Sequence, residues 1–390
     1  MSGRPRDYSG VAIVAPVSAN YTRNTRRTMP WFLGRTLAEM IRQAGISKAD
    51  IDGLAVSSYL MAPDNGASLT EYFGLTPRFL IDFPYGGACG ILALKRAARA
   101  VQDGDAEIVA CLAGDIMLQG YSINAAFSTF SRDHVYPNSG GGMNAVFALI
   151  TRNYMDEFGA TREDFGRICI AQRANSLGHP MAQFRKPLTM DDYLGARLIS
   201  EPLGLFDCVP RVSGGEGFLV MSEDRARALG MPYAVIAGAV ERHNAYRKDP
   251  VVNRFGIAEE CGLLFDMAGL GADEVDFVEA YDDYPVMVML ELEALGLAQP
   301  GEAVSLVRSK DLTIAGDLPL NTSGGMLSMG QAGAAGGFVH VTEAVAQLTH
   351  RPMGRQVPDA EIGLVSCLGT VNYDRGLCTA AAILRTGRAA

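Results

Sequence analysis

The chain has 390 residues, 48% of them apolar and 20% charged, and a formal net charge of −9. This composition fits a large folded core rather than a disordered chain. The acidic balance excludes a basic nucleic-acid binder, while leaving room for a local basic pocket. At about 100–200 residues per domain, the length fits two moderate domains or one large duplicated body.

In chain order, the opening MSGRPRDYSG lacks the apolar centre of an export signal. No stretch approaches the roughly 18–20 apolar residues that span a bilayer, so the expectation is a cytoplasmic protein that binds neither membrane nor nucleic acid. The first patterned segment is AGISKADIDGLAV (44–56), a helical stretch ending near Gly45 that leads through a polar turn into an apolar run. GACGILALKRAARAV (87–101) is a glycine-rich turn opening a helix, and DAEIVACLAGD (105–115) is a charged lead-in to a short strand. All three recur in the same order: AGLGADEVDFVEA (268–280), GAAGGFVHVTEAVAQL (333–348) and DAEIGLVSCLG (359–369). Three repeats in register predict a duplicated α/β unit, with halves at 1–230 and 231–390. Short strands alternating with helices further predict mostly parallel sheets covered by helices. The first half carries an extra segment, about 116–205, that includes FSTFSRDHVYPNSGGG and reads as a lid or a substrate platform.

Seven cysteines (89, 111, 169, 208, 261, 367 and 378) are odd in number and widely scattered. Buried thiols are therefore expected rather than a disulfide framework, and no His/Cys spacing points to a metal. The glycines bunch at 86–90, 140–142, 214–217, 324–325 and 330–337, where the backbone turns sharply or approaches something closely.

GACGILAL, PLTMDDYLGARLISEPLGLFDCVPRVSGGEG (187–217), VEAYDDYPVMVMLELEALGL (278–297), NTSGGMLSMGQAGAAGG (321–337) and SCLGT (366–370) together resemble the thiolase superfamily. The likeness is to sterol-carrier-protein-type thiolases and their lipid-transfer-protein relatives. It implies a thiolase fold, with two similar halves in a five-layer αβαβα body, usually a homodimer, acting on acyl-CoA thioesters. A typical member carries a nucleophilic Cys at the start of its first central helix, a His in a GHP motif, and a His and a Cys in an HDCF motif followed by Asn. Aligning Gly90, Ala93 and Leu94 with the family pattern Cys-x-x-Gly-x-x-Ala-Leu puts Gly87, not Cys89, at the nucleophile position. The HDCF motif reads Tyr281-Asp282-Asp283-Tyr284, the Asn aligns with Met287, and GHP has become Gly330-Gln331-Ala332. Without its cysteine a thiolase forms no acyl-enzyme.

The glycine scaffold survives. Gly87, Ser323, Gly324, Gly333 and Gly369 are expected to bind the thioester, and Tyr281, Asp283, Gln331 and Cys367 are the candidate catalytic groups. Tyr281 is a candidate base or donor, Asp283 a base or the group that orients the phenol, and Gln331 an amide donor that cannot ionise. Such a set suits retro-aldol cleavage of a bulky, steroid-like 3-hydroxyacyl-CoA without a covalent intermediate. Thiolase-like aldolases of steroid side-chain degradation share Gly and Tyr at these two positions. They work with a companion subunit carrying an OB fold and a zinc ribbon, which implies such a partner here. CoA would enter only as part of the substrate, with no bound cofactor and no metal in this chain. Two alternatives stay open: a Claisen-type acyltransferase using Cys89, or a non-catalytic lipid-binding subunit. Asp282 reads as a turn or helix-capping residue. His340 reads as packed or exposed, and Arg173, Arg185 and Lys186 as CoA-phosphate contacts or a solvated loop.

Overall fold

The structure, a computed structural model, describes residues 7–117, 142–249, 251–371 and 376–387. FSTFSRDHVYPNS and Gly140–Gly141 of the extra segment lie outside the described residues. In the first half the strands are β1 (Val11–Thr22), β2 (Gly53–Ser57), β3 (Phe79–Asp82), β4 (Ile108–Ile116), β5 (Leu198–Ser200), β6 (Leu203–Gly204) and β7 (Ser213–Ser222). The second half contributes β8 (Ala234–His243), β9 (Phe277–Glu279), β10 (Ile362–Val371) and β11 (Gly376–Thr386). Nine of these strands form one sheet in the order β3-β2-β4-β7-β1-β8-β11-β10-β9. Among the described residues, the strands of the two halves pair only where β1 meets β8, at Ala12↔Val235 and Ile13↔Ala234.

The expectation of mostly parallel pairing is corrected. Only β2–β3, β2–β4 and β9–β10 run parallel, while β1–β7, β1–β8, β4–β7, β8–β11 and β10–β11 are antiparallel. The parallel pairs lie at the two outer ends of the sheet. The others come from long strands such as β7 and β11, which return across the middle of each half, a pairing that apolar runs alone do not specify.

The helices that matter for the site are α1 (Met29–Ala44), α2 (Cys89–Asp103), α3 (Met143–Phe158), α4 (Arg162–Ser176), α5 (Pro285–Ala294) and α6 (Gly336–Leu348). α1 covers the outer face of β1, β4 and β7, and the helix Cys261–Ala268 covers β8 and β11. Between the half-sheets, α2 and α6 cross each other, each touching strands of both halves. The stack is therefore helix, sheet, helices, sheet, helix. The crossing is close because a Cβ on Gly90 would come within 2.0 Å of the Gly337 carbonyl oxygen. α6 is buried along its whole length, Gly336 to Leu348, as a central layer requires.

The duplication is visible in hydrogen bonds. Asp52 accepts the N–H groups of Glu107 and Ile108, each at 2.9 Å, just ahead of β4. At the matched place Asp276 accepts those of Glu361 and Ile362, each at 2.8 Å, just ahead of β10. In both halves one aspartate fixes the register between a parallel strand and its neighbour.

Candidate active site

α2 begins in a tight turn, Gly86–Ala88, where Gly86 has φ +61°. A Cβ on Gly87 would stand 2.2 Å from Cε2 and Cζ of Tyr281 and 2.1 Å from the Leu368 carbonyl oxygen. No side chain fits there. The space over the helix start, where the family's cysteine would project, is filled by the Tyr281 ring.

Tyr281 follows β9, and its backbone N–H donates to Glu291 Oε2 at 2.7 Å. Its hydroxyl donates to Asp283 Oδ2 at 3.0 Å, and the Gln331 amide donates to Asp283 Oδ1 at 2.7 Å. Burial, reinforced by the Asp283 charge, pushes the Tyr281 phenol well above its usual range, so it rests as a proton donor. Burial also raises the Asp283 carboxyl to about 7. The Tyr281 hydrogen bond opposes that rise and the neighbouring Asp282 charge adds to it. The pair thus consists of a neutral phenol against a carboxylate poised near neutrality, the form a general base takes.

The segment 280–283 is held from below. Asn321 pins Ala280 twice, accepting its N–H at 2.7 Å and donating to its carbonyl at 2.9 Å. Asp282 turns away from the cavity and accepts the N–H groups of Met326 (2.9 Å) and Leu327 (3.1 Å) at the start of the short helix Gly325–Met329. His340 is fully buried on α6, with Nδ1 at 3.2 Å from Glu279 and Nε2 at 3.0 Å from Asp282. Although burial opposes it, hydrogen bonds and charge from Asp282 and Glu279 raise this imidazole to about 10. His340 is therefore an imidazolium that holds two carboxylates in place, a positioning role the sequence does not reveal.

A cavity of about 730 Å³ opens in front of Gly87, Tyr281, Asp283 and Gln331. The described part of the extra segment supplies much of its wall, through Met143, Asn144, Phe147, Ile199 and Leu205. Tyr284 stacks on Phe147 with ring centroids 4.1 Å apart and donates to Asn144 Oδ1 at 2.6 Å. Exposed Arg23, Arg197 and Arg211 also line the cavity and give it a basic rim.

The other expected residues are placed elsewhere. Cys89 is buried, donates to the Phe83 carbonyl at 3.2 Å, and burial raises its thiol to about 12; it does not line the cavity. A nucleophilic Cys89 has no geometry to support it. Cys367 is equally buried, facing the Gly337 carbonyl at 3.4 Å, with its thiol pushed well up by burial. Ser323, Gly324, Gly333 and Gly369 do not line the cavity either. These glycines serve close packing: a Cβ would meet Ser176 at Gly324, Asp115 at Gly333 and the Tyr85 carbonyl at Gly369, at 2.3, 2.1 and 1.8 Å. Arg173 is buried and stacked 4.2 Å from the centre of Phe184, while exposed Arg185 and Lys186 lie outside the cavity lining. Sequence reasoning missed Tyr59, which lines the cavity beside Gly87.

Residues 238–380 match the model of the family "Thiolase C-terminal domain-like". The chain belongs to the thiolase superfamily. It is 29% identical to the steroid side-chain-cleaving aldolase of Thermomonospora curvata, over 89% of this chain and 92% of that one. It is 28% identical to the acetyl-CoA acetyltransferase of Methanothermobacter thermautotrophicus, over 84% and 88%. Among solved structures, the Ltp2-ChsH2(DUF35) aldolase superposes with a TM-score of 0.84 at 27% identity, covering 97% of this chain and 98% of that one. Since an aldolase and an acyltransferase lie within one per cent identity of each other, at 29% and 28%, the residues over the α2 helix start have to decide between the two chemistries.

Proposed function

We propose that this protein is a thiolase-fold lyase that cleaves a bulky 3-hydroxyacyl-CoA by a retro-aldol reaction, with Tyr281 and Asp283 moving the proton. The observation that carries this reading is the Tyr281 ring standing over Gly87 with its hydroxyl bonded to Asp283. The site has exchanged a nucleophile for an acid–base pair. Tyr281 accepts the proton of the substrate β-hydroxyl as its own passes to Asp283. The Cα–Cβ bond then breaks, a carbonyl forms at Cβ, and the electron pair enters the thioester enolate. Gly87 lines the cavity at the start of α2, so the positive end of that helix lies beside the developing oxyanion. Gln331 holds the Asp283 carboxylate.

An apolar wall containing Phe147, Leu205 and Val209 in a cavity of about 730 Å³ suits a ring-bearing acyl group of steroid size. The arginine rim suits the phosphates of CoA, which enters as part of the substrate. Side chains alone run the chemistry, with no resident metal or cofactor. The protein works in the cytoplasm as a homodimer with an OB-fold, zinc-ribbon companion subunit. The two-component name of the aldolase neighbour favours that companion. No helix among the described residues is long and apolar enough to cross a membrane.

The test is incubation of the protein, with and without the companion, with a β-hydroxy-β-alkyl acyl-CoA. Release of a ketone and a shorter acyl-CoA is expected. Tyr281→Phe should lower the rate by about 100-fold or more, the usual contribution of a general acid–base group. An unchanged rate in that variant refutes the assignment.

A further inference from the structure

Cleavage takes one proton from the substrate hydroxyl and must return one to Cα of the enolate. Gln331 cannot ionise, and the Tyr281 hydroxyl is committed to Asp283 on the hydroxyl side. We propose that Tyr59 is the catalytic acid that protonates Cα, a role resting on the lyase reading above.

Tyr59 lies just past the end of β2, and its backbone is clamped by Asp115 of β4. Asp115 Oδ2 accepts the Tyr59 N–H at 3.0 Å, while Oδ1 accepts the Leu60 N–H at 3.0 Å and the Ser58 hydroxyl at 2.6 Å. The same carboxylate accepts the Ala334 N–H at 2.8 Å from the second half, so both halves fix the tyrosine's base. From there the side chain reaches the α2 turn, where a Cβ on Gly86 would stand 2.8 Å from Tyr59 Oη. The Tyr281 ring occupies the equivalent space over Gly87. Two phenols thus stand over consecutive residues of one turn, and both line the cavity. Burial, with the nearby Asp283 and Asp115 charges, keeps Tyr59 protonated at neutral pH.

The protons balance. The Tyr59 O–H bond breaks as a C–H bond forms at Cα and the enolate closes to the thioester carbonyl. The Tyr59 phenolate then regains a proton from Asp283, which received it from the substrate hydroxyl through Tyr281. No oxidant, reductant or net proton is needed.

Run backwards, the last step exchanges the α-hydrogens of the product thioester with solvent, and no ketone is required. In D2O the wild-type protein, with its companion, should incorporate deuterium into acetyl-CoA or propionyl-CoA, read by mass spectrometry. Tyr59→Phe should slow this incorporation by about 100-fold or more while melting at the wild-type temperature, and Tyr59→His should recover part of it. Tyr281→Phe should lose cleavage yet keep exchange. Wild-type cleavage together with Tyr59→Phe exchange within about threefold of wild type overturns the role of Tyr59 alone, a gap well below that expected of an acid–base group. A wild-type protein that neither cleaves nor exchanges overturns the lyase reading along with it.

Discussion

At the scale of single residues, the proposed role of Asp283 as base assigns it the pH dependence of the reaction. Its carboxyl is raised to about 7 and acts only when ionised. kcat/KM should therefore rise about tenfold per pH unit below that value and level off above it. Asp283→Asn should abolish this limb. Gln331→Ala removes an N–H donor that favours the ionised carboxylate, so the carboxyl rises further and the limb moves to higher pH. A pH–rate profile of both variants checks the direction; a limb moving to lower pH in Gln331→Ala would contradict it. Tyr281, Asp283 and Gln331 could be read in the sequence because each replaces a motif residue at fixed spacing. Tyr59 could not, since SSYLMAP after β2 carries no motif and only the fold brings it to the α2 turn. Arg23, Arg197 and Arg211 escaped for the same reason, being spread over 189 positions and brought together only at the cavity. Ser323, Gly324, Gly333 and Gly369, expected to bind the thioester, lie outside the cavity lining. A glycine that lets backbone or a neighbouring side chain come close looks the same in sequence as one that admits a ligand.

At the scale of elements, the site depends on how α2 meets α6. Their crossing puts the Gly337 carbonyl against Gly90, so a methyl group added at Gly90 must force the helices apart. Gly90→Ala should destabilise the fold by about 1–3 kcal/mol, the usual cost of overpacking, as read from urea denaturation. It should also lower kcat, because the same movement shifts Gly87 relative to Tyr281. Wild-type stability in Gly90→Ala would mean that the two helices part there without cost. The repeat that placed α2 and α6 in matching positions was legible from GACGILAL and GAAGGFVH. Strand direction was not, because β7 and β11 look like any buried apolar run and their partners are set by tertiary contacts.

For the whole molecule, the two ends of the sheet differ. Beyond β9 the edge is covered by 319–321, where Val278 donates to the Pro319 carbonyl at 2.9 Å and Asn321 donates back to Val278 at 2.8 Å. Beyond β3, no strand among the described residues pairs with the outer edge, and Leu80 on it is 40% exposed. An apolar, unpaired edge is a pairing surface, and it is where a second copy should join. Leu80→Lys should convert a dimer to monomers in analytical ultracentrifugation; a dimer unchanged by Leu80→Lys would place the interface elsewhere. A different kind of consequence follows from Gly87. Its missing side chain is not an empty slot, since both the Tyr281 ring and the Leu368 carbonyl occupy the volume. The loss of the thiol therefore behaves as a ratchet. Installing the thiolase pair in Gly87→Cys/Tyr281→His removes the ring but leaves the carbonyl in the way. That double variant should take up no acyl group from acyl-CoA by mass spectrometry, and an adduct on its new cysteine would show that the path back is open.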